Sequence, residues 1–386
     1  MTSINDPLRV LVAHPSADLY GSDRVLLETV QALLERGDRV AVALPGPGPL
    51  VAELQGRGAL VEYCPTPVLR RSLLSPAGLL RLSGESLRGF RAGLQVLRRY
   101  RPDALYVNTV TVPLWPLLGR LARVPTVTHV HEAERHTSRK QQLALALPLL
   151  LANSIVANSR FTADTLGHVL PALRGRARVV YNGVPGPASP PPARPALDGR
   201  LRVAYVGRLS HRKGVDVALD AVAQLRRRGV DASLDIVGAA VPGYEDYEQL
   251  LRHRVQKLGL GQDVVFHGFQ PYPWDILAGA DAAVVPSRLD ESFGNTAVEA
   301  VLASRPLVAS SVPGLREAAE GYASAQFAAP GDAAGMADAL ERIVTDWDRY
   351  RAAAALDAAA AVERHAPRRY RHSIAAAVAE AAGPRG

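Results

Sequence analysis

The sequence predicts an α/β protein made of two doubly wound domains, each with a mostly parallel sheet, and three observations carry that expectation. Short strand-like runs rich in valine, alanine and leucine alternate with longer stretches whose apolar residues recur at helical spacing. A proline-rich segment, "PGPASPPPARPALDGR" at residues 185–200, halts the alternation, which then begins again. The chain has 386 residues, long for one hydrophobic core and ordinary for two.

Taken in order, "LRVLVAH", "RVAVAL", "ALVEY", "DALYVN", "TVTHVH", "SIVANS" and "RVVYN" are the strand candidates of a first domain, residues 1–184. Helical patterns lie between them, so the units are βα and the sheet is mostly parallel. Residues 185–200 suit neither a helix nor a central strand, because proline fixes φ and lacks a backbone donor; they read as a linker. Beyond it "LRVAYVGR", "SLDIVG", "DVVFHG", "AAVVP" and "PLVAS" restart the rhythm in a second domain, residues 201–365. The alanine-rich stretch from 332 to 382 reads as helical, and its break at "HAPRRY" sets off a last helix, 366–386, expected to cross back to the first domain. Two such domains facing one another form a cleft at the carboxyl ends of their strands.

Composition excludes several classes. Apolar residues make up 48% of the chain, yet no apolar run reaches membrane-spanning length. The start, "MTSINDPLRVLVAH", passes from a short polar lead into a strand without the basic and apolar regions of a signal peptide, so a cytoplasmic protein is expected. Cys64 is alone and reads as a small core residue. Lys and Arg total 45 against 37 Asp and Glu, a net charge of +8 that favours anionic partners. Much of it is arginine between Arg70 and Arg101: Arg70, Arg71, Arg81, Arg88, Arg91, Arg98, Arg99 and Arg101. A basic amphipathic helix there fits either peripheral contact with an anionic membrane face or an ordinary outer helix. Without interleaved aromatics or a recognised module it does not point to nucleic acid.

The stretch "PSRLDESFGNTAVEAVLASRPLVAS" places Glu291 in the loop leaving a strand and Glu299 about a turn and a half into the next helix. Gly294 and Asn295 open that helix, leaving backbone N–H groups beside Glu291 for a hydroxyl or a phosphate oxygen. In "VAYVGRLSHRKGVDVALDAV", Gly207 allows close backbone approach, and Arg208 and Lys213 with the following helix N-terminus form a pyrophosphate clamp.

The second half resembles the retaining glycosyltransferases of family four, the group 1 glycosyltransferases, through "GRLSHRKG", "ESFGNTAVE" and "ASRPLVASSVPGLREA" in that order. The resemblance implies the GT-B fold, two Rossmann-like domains facing across a cleft. It also implies transfer of a sugar from a nucleotide-sugar donor to an acceptor hydroxyl, in cell-surface glycan or glycolipid synthesis. The first domain is then the acceptor side and the second binds the nucleotide sugar. Glu291 with the backbone after it, Phe293, Gly294, Asn295 and Thr296, would hold donor-sugar hydroxyls, and Glu299 the ribose. Arg208 and Lys213 would neutralise the departing diphosphate, and the backbone from His267 to Phe269 would meet the nucleobase. No cofactor is implied beyond the nucleotide-diphosphate sugar, which is the donor substrate.

In the first domain "AHPSADLYGSDRVLLETV" has Gly21 followed by Ser22 where the family often has two glycines, which weakens close approach of a phosphate there. The turn has neither GxGxxG nor a Walker lysine, against a nicotinamide dehydrogenase and a P-loop enzyme. His129 and His131 share a strand face, a start for a zinc site, but no third ligand is placed by spacing. The resemblance singles out His131 as facing the donor sugar across the cleft, with Glu132 beside it to orient it or touch the acceptor. Asp346 and Asp348 in "DWD" mimic a metal-binding acid pair, but read as a solvated helix face. Cations at the diphosphate and no carboxylate cage point to a metal-independent enzyme. A nucleotide-sugar epimerase or phosphorylase would need extra acid-base residues or a pyridoxal lysine, neither of which can be placed. A non-catalytic nucleotide-sugar-binding protein would not need Arg208, Lys213, Glu291 and Glu299 together.

Overall fold

The computed structural model describes residues 6–65, 67–68, 76–133, 135–240 and 245–383. Two compact units result: Met1–Gly183 with Pro367–Gly386, and Val184–Ala366.

The first unit has seven parallel strands, β1 (Arg9–Ala13), β2 (Arg39–Leu44), β3 (Leu60–Tyr63), β4 (Ala104–Val107), β5 (Thr126–Val130), β6 (Ser154–Ala157) and β7 (Ala177–Val179), in the order β3-β2-β1-β4-β5-β6-β7. Alternation along the strands splits the sheet into two buried faces. Val10, Val12, Val40, Val42 and Tyr106 face one core, with Val25, Leu26, Val30 and Leu33 of the helix Gly21–Glu35. Leu11, Ala13, Ala41, Ala43, Leu105 and Val107 face the other, with Val96 and Leu97 of the helix Pro76–Tyr100 and Trp115 and Leu118 of the helix Leu114–Ala122. Each such valine or leucine contributes roughly 1.5–3 kcal/mol when fully buried.

The last helix, Pro367–Ala382, belongs to this first core, where Tyr370, Ile374 and Val378 are buried. Pro367 opens it, a position where the missing N–H costs nothing. Thr29 and Tyr370 share a hydrogen bond of 2.6 Å between their hydroxyls, and Arg371 Nε meets Glu28 Oε2 at 2.8 Å.

The second unit has six parallel strands, β8 (Leu201–Val206), β9 (Ala232–Val237), β10 (Val264–Gly268), β11 (Ala282–Val285), β12 (Leu307–Ser310) and β13 (Ala325–Ala328), in the order β10-β9-β8-β11-β12-β13. β13 was not expected from the sequence: "AQFA" has no β-branched residue, and pairing with β12 at the sheet edge makes it a strand.

Residues 185–200 form neither helix nor strand, and yet they are fastened to the second unit. Arg194 Nη2 reaches the buried Asp281 at 2.7 Å, Trp347 Nε1 donates to the Arg194 carbonyl at 3.2 Å, and Arg305 Nη1 donates to the Pro191 carbonyl at 3.1 Å. Among the described residues no helix is long and apolar enough to cross a membrane. Arg70 and Arg71 lie outside the described residues; Arg81 is in the helix Pro76–Tyr100, and Arg88, Arg91, Arg98, Arg99 and Arg101 are exposed.

Candidate functional site

Each sheet reverses its strand order once, between β1 and β4 in the first unit and between β8 and β11 in the second. At such a point the loops leaving the strands part in opposite directions and open a crevice.

In the second unit, close backbone contacts draw the loop after β8 against the loop after β11. Gly214 (φ +66°) starts the helix Val215–Arg227, and a Cβ there would lie 2.0 Å from the Pro286 carbonyl oxygen. The Arg288 N–H donates to the Arg212 carbonyl at 2.9 Å. Gly207 lies equally tight, since a Cβ on Gly238 would stand 1.9 Å from the Gly207 oxygen.

This packing delivers Lys213 Nζ to Glu291 Oε1 at 2.8 Å. Ser287 Oγ donates to the same oxygen at 2.8 Å, while Arg212 Nη2 lies 3.5 Å from Oε2 and Nη1 donates to the Asp290 carbonyl at 3.0 Å. Glu291 is buried. Burial pushes its carboxyl up, but Lys213 and Arg212 outweigh that and hold it below the usual range. Burial lowers the Lys213 ammonium, and Glu291 restores only part of the loss. Lys213 and Glu291, far apart in sequence, are thus brought into contact, together with Arg212, which the sequence reading passed over. Arg208 is exposed on the same loop, and its carbonyl accepts the Tyr205 hydroxyl at 2.9 Å.

Gly294 (φ +115°) precedes the helix Asn295–Leu302, in a backbone region that disfavours a side chain. Asn295 and Thr296 are half-buried in its first turn, and Glu299 is buried. The Phe293 side chain is 1% exposed and packs on His365 with ring centroids 5.8 Å apart, so it belongs to the core and not to a ligand surface. A Cβ on Gly314 would sit 2.0 Å from the Glu291 carbonyl oxygen, so the helix Pro313–Ala319 abuts this loop. His267 stands apart, at the ends of β9 and β10: its Nε2 pairs with Asp235 Oδ1 at 2.6 Å and its carbonyl accepts Gln270 Nε2 at 3.0 Å. Gly268 lends its carbonyl to the Gly238 N–H at 2.8 Å, and Phe269 is exposed.

In the first unit the strand ends carry His14, Asn108 and His131 in one run of hydrogen bonds. His131, after β5, bonds through Nε2 to Asn108 Oδ1 at 2.9 Å. Asn108 follows β4, and its Nδ2 meets His14 Nδ1 at 3.1 Å. His14 follows β1, and its Nε2 meets Asp23 Oδ1 at 2.6 Å. Burial pushes the His131 imidazole down to about 3, so it is neutral at physiological pH. Glu132 does not orient that ring: its carboxylate accepts the His131 backbone N–H at 3.1 Å and the Thr109 hydroxyl. His129 is buried, with Nδ1 on the Tyr106 hydroxyl at 2.6 Å, and its ring centroid lies 3.9 Å from that of His131.

Gly21 and Ser22 are exposed at the start of their helix, whose inner side is already taken by Asp23, which accepts the Tyr20 N–H at 2.8 Å. His14, Asp23 and Asn108 were missed from sequence. The available signal was a polar residue ending an otherwise apolar strand run, as in "LRVLVAH" and "DALYVN".

Among the described residues no three His, Cys, Asp or Glu side chains converge as metal ligands. Asp346 and Asp348 are exposed and pair with Arg349 and Arg351 at 3.2 and 3.5 Å. Cys64 is buried, its thiol pushed up to about 11 by burial and Glu62.

Comparison with known proteins joins the two units. Residues 20–185 match the family model described as Glycosyltransferase Family 4, and residues 192–359 match Glycosyl transferases group 1. Glycogen synthase of Mycobacterium tuberculosis is 31% identical over 271 residues, covering 66% of this chain and 64% of that relative, so the chain spans less than two thirds of that relative's length. The 2-deoxystreptamine N-acetyl-D-glucosaminyltransferase of Streptomyces fradiae is 29% identical over 369 residues, 86% of this chain and 85% of the relative. Among solved structures, Anabaena HepE in complex with UDP-glucose matches with a TM-score of 0.80 at 22% identity, over 95% of this chain and 98% of that one. Sucrose-phosphate synthase of Thermosynechococcus elongatus matches with 0.76 at 17%, over 95% and 96%. At these identities the likeness is one of fold.

Proposed function

The chain belongs to the group 1 glycosyltransferases and has the GT-B fold, and on that premise we propose that it moves a sugar from a nucleotide-sugar donor to an acceptor hydroxyl with the anomeric configuration retained. The observation that carries this reading is the Lys213–Glu291–Arg212 cluster at the β8/β11 switch point, a buried carboxylate ringed by cations beside a helix start. Glu291 has oxygen acceptors for sugar hydroxyls. The cations are placed to take up charge as the diphosphate leaves, where fixed groups in a water-poor site act most strongly.

The step needs no covalent enzyme intermediate. The bond from the anomeric carbon to the diphosphate oxygen breaks, the acceptor oxygen bonds on the same face, and its proton passes to the departing diphosphate oxygen. Protein groups orient and stabilise charge, and neither a metal nor a cofactor is required. Support for a nucleotide-sugar donor comes also from the HepE structure, which holds UDP-glucose.

We place the acceptor in glycan or glycolipid synthesis on the cytoplasmic side. The helix Pro76–Tyr100 supports this with a stripe of exposed Arg88, Arg91, Gln95 and Arg98, beside Leu87 at 55% exposure, suited to an anionic leaflet.

The deciding experiment offers a panel of nucleotide sugars, with and without excess chelator, and follows nucleoside diphosphate release and the anomeric form of the product. Release from one donor with retention, unchanged by chelator, is expected. Inversion, or activity abolished by chelator and restored by manganese, sinks the reading.

A further inference from the structure

As the side chains are placed, the hydrogen bonds from Asp23 through His14 and Asn108 to His131 share one direction of donation. Asp23 is ionised: burial raises its carboxyl, but His14, the Tyr20 N–H and the Ser16 hydroxyl outweigh that and lower it. Its Oδ1 accepts Ser16 Oγ at 3.0 Å and its Oδ2 accepts the Tyr20 N–H at 2.8 Å. An ionised carboxylate only accepts, so His14 Nε2 carries the proton in their 2.6 Å bond. Asn108 turns Nδ2, which can only donate, toward His14 Nδ1 at 3.1 Å, so Nδ1 accepts. The amide then presents Oδ1 to His131 Nε2 at 2.9 Å, which must donate. His131 Nδ1 is left with a lone pair. It has no hydrogen-bond partner among the described residues and, unlike His129 Nε2, is not sealed from solvent.

We propose that Asp23, His14 and Asn108 are positioning residues, a run of hydrogen bonds that holds His131 as its Nε2–H tautomer and leaves Nδ1 as the acceptor for a substrate hydroxyl. Reversing the run takes two simultaneous changes, a second proton on His14 and a turned Asn108 amide, so the tautomer is fixed by a buried carboxylate three residues removed along the network. His129, whose ring lies 3.9 Å from that of His131, and Glu132, bonded to the His131 backbone, do not compete for the ring nitrogens. The tautomer is independent of the transfer reaction; only the identity of the hydroxyl as a sugar or acceptor group rests on the function proposed above.

The test is long-range ¹H–¹⁵N correlation spectroscopy on the full chain with ¹⁵N-labelled histidine, the His131 signals being assigned with His131→Gln. A protonated Nε2 and an unprotonated Nδ1 are expected for His131 at neutral pH. In Asn108→Asp the carboxylate faces His131 directly, and its titration should rise from about 3 by about 1–3 units. Asn108→Ser, too short to bridge the two rings, should show both tautomers. An Nδ1–H tautomer in the wild type overturns the proposal, as does a single unchanged tautomer in a folded Asn108→Ser. Absence of sugar transfer with the expected tautomer present would instead count against the proposed function alone.

Discussion

The two switch points solve different problems with different chemistry. At β8/β11 the side chains are charged and mutually neutralising, with Glu291 between Lys213 and Arg212. At β1/β4 Asn108 and His131 are neutral, and an ionised Asp23 is buried behind His14. A charged cluster responds to charge that develops during reaction, whereas a neutral network sets direction, choosing which atoms donate and which accept. On the proposed reading, the same βα switch, used twice, supplies electrostatics in one unit and orientation in the other.

The largest effect should come from breaking the charged side. Lys213→Met is expected to lower turnover by about 10²–10³-fold, the loss typical of one transition-state stabilising group. It should also lower stability, by less than the roughly 3–5 kcal/mol of a fully uncompensated buried charge, because Glu291 is left buried with only Arg212 and Ser287 beside it. The double variant Lys213→Met/Glu291→Gln should regain most of that stability and none of the turnover. Steady-state kinetics and denaturant titration check both parts, and full turnover with only a raised donor KM would remove Lys213 from the reacting end.

A smaller effect is expected at Glu299, buried eight residues along the same segment, which the family resemblance alone gives to the ribose. Glu299→Gln removes a charge-assisted hydrogen bond, about 1.5–3 kcal/mol, so donor KM should rise by about 10–100-fold. Turnover should change far less than in Lys213→Met. Equal falls in both parameters would place Glu299 with the charged cluster instead of with donor binding.

These two regions differed just as much in how legible they were. Lys213 and Glu291 follow from local pattern, an apolar strand, a glycine and a helix start, so their loops are placed before any long-range contact is known. That Arg212 joins them depends on how the short turn His211–Lys213 aims neighbouring side chains, which spacing does not reveal. The neutral run is a product of strand pairing: β4 lies between β1 and β5, and its bonds span 94 residues from His14 to Asn108 and 23 from Asn108 to His131. His131 itself was found only through family resemblance. Likewise the strands were legible where valine and leucine are dense, and β13 was not, because its edge pairing is tertiary.

The neutral side can be probed by pH. The His131 imidazole sits at about 3 when folded and near 6.5 when unfolded, so between those values the unfolded chain binds one more proton. Stability then rises with pH across that window and falls on acidification, by up to about 1.4 kcal/mol per pH unit for this group. His131→Gln should remove close to one proton's worth of slope between about pH 4 and 5.5, falling to about half a proton at pH 6.5, read as a flatter dependence of unfolding free energy on pH. An identical slope in both proteins would mean that the imidazole titrates normally and is not held neutral.

The smallest effect expected lies away from both switch points, on the helix Pro76–Tyr100, where the described arginines face outward. Arg99 meets Glu62, but Arg88, Arg91 and Arg98 form an exposed stripe. Each basic residue near an anionic leaflet adds about 1 kcal/mol, so Arg91→Gln should weaken liposome binding only about fivefold. Cosedimentation with anionic and neutral liposomes at low and high salt measures it. Binding should be confined to anionic liposomes and fade as salt shortens the Debye length from about 30 Å at 0.01 M to about 8 Å at 0.15 M. Salt-resistant binding would assign the contact to apolar groups such as Leu87, and equal negligible binding to both liposome types would make the stripe a solvated helix face and move the acceptor away from the membrane.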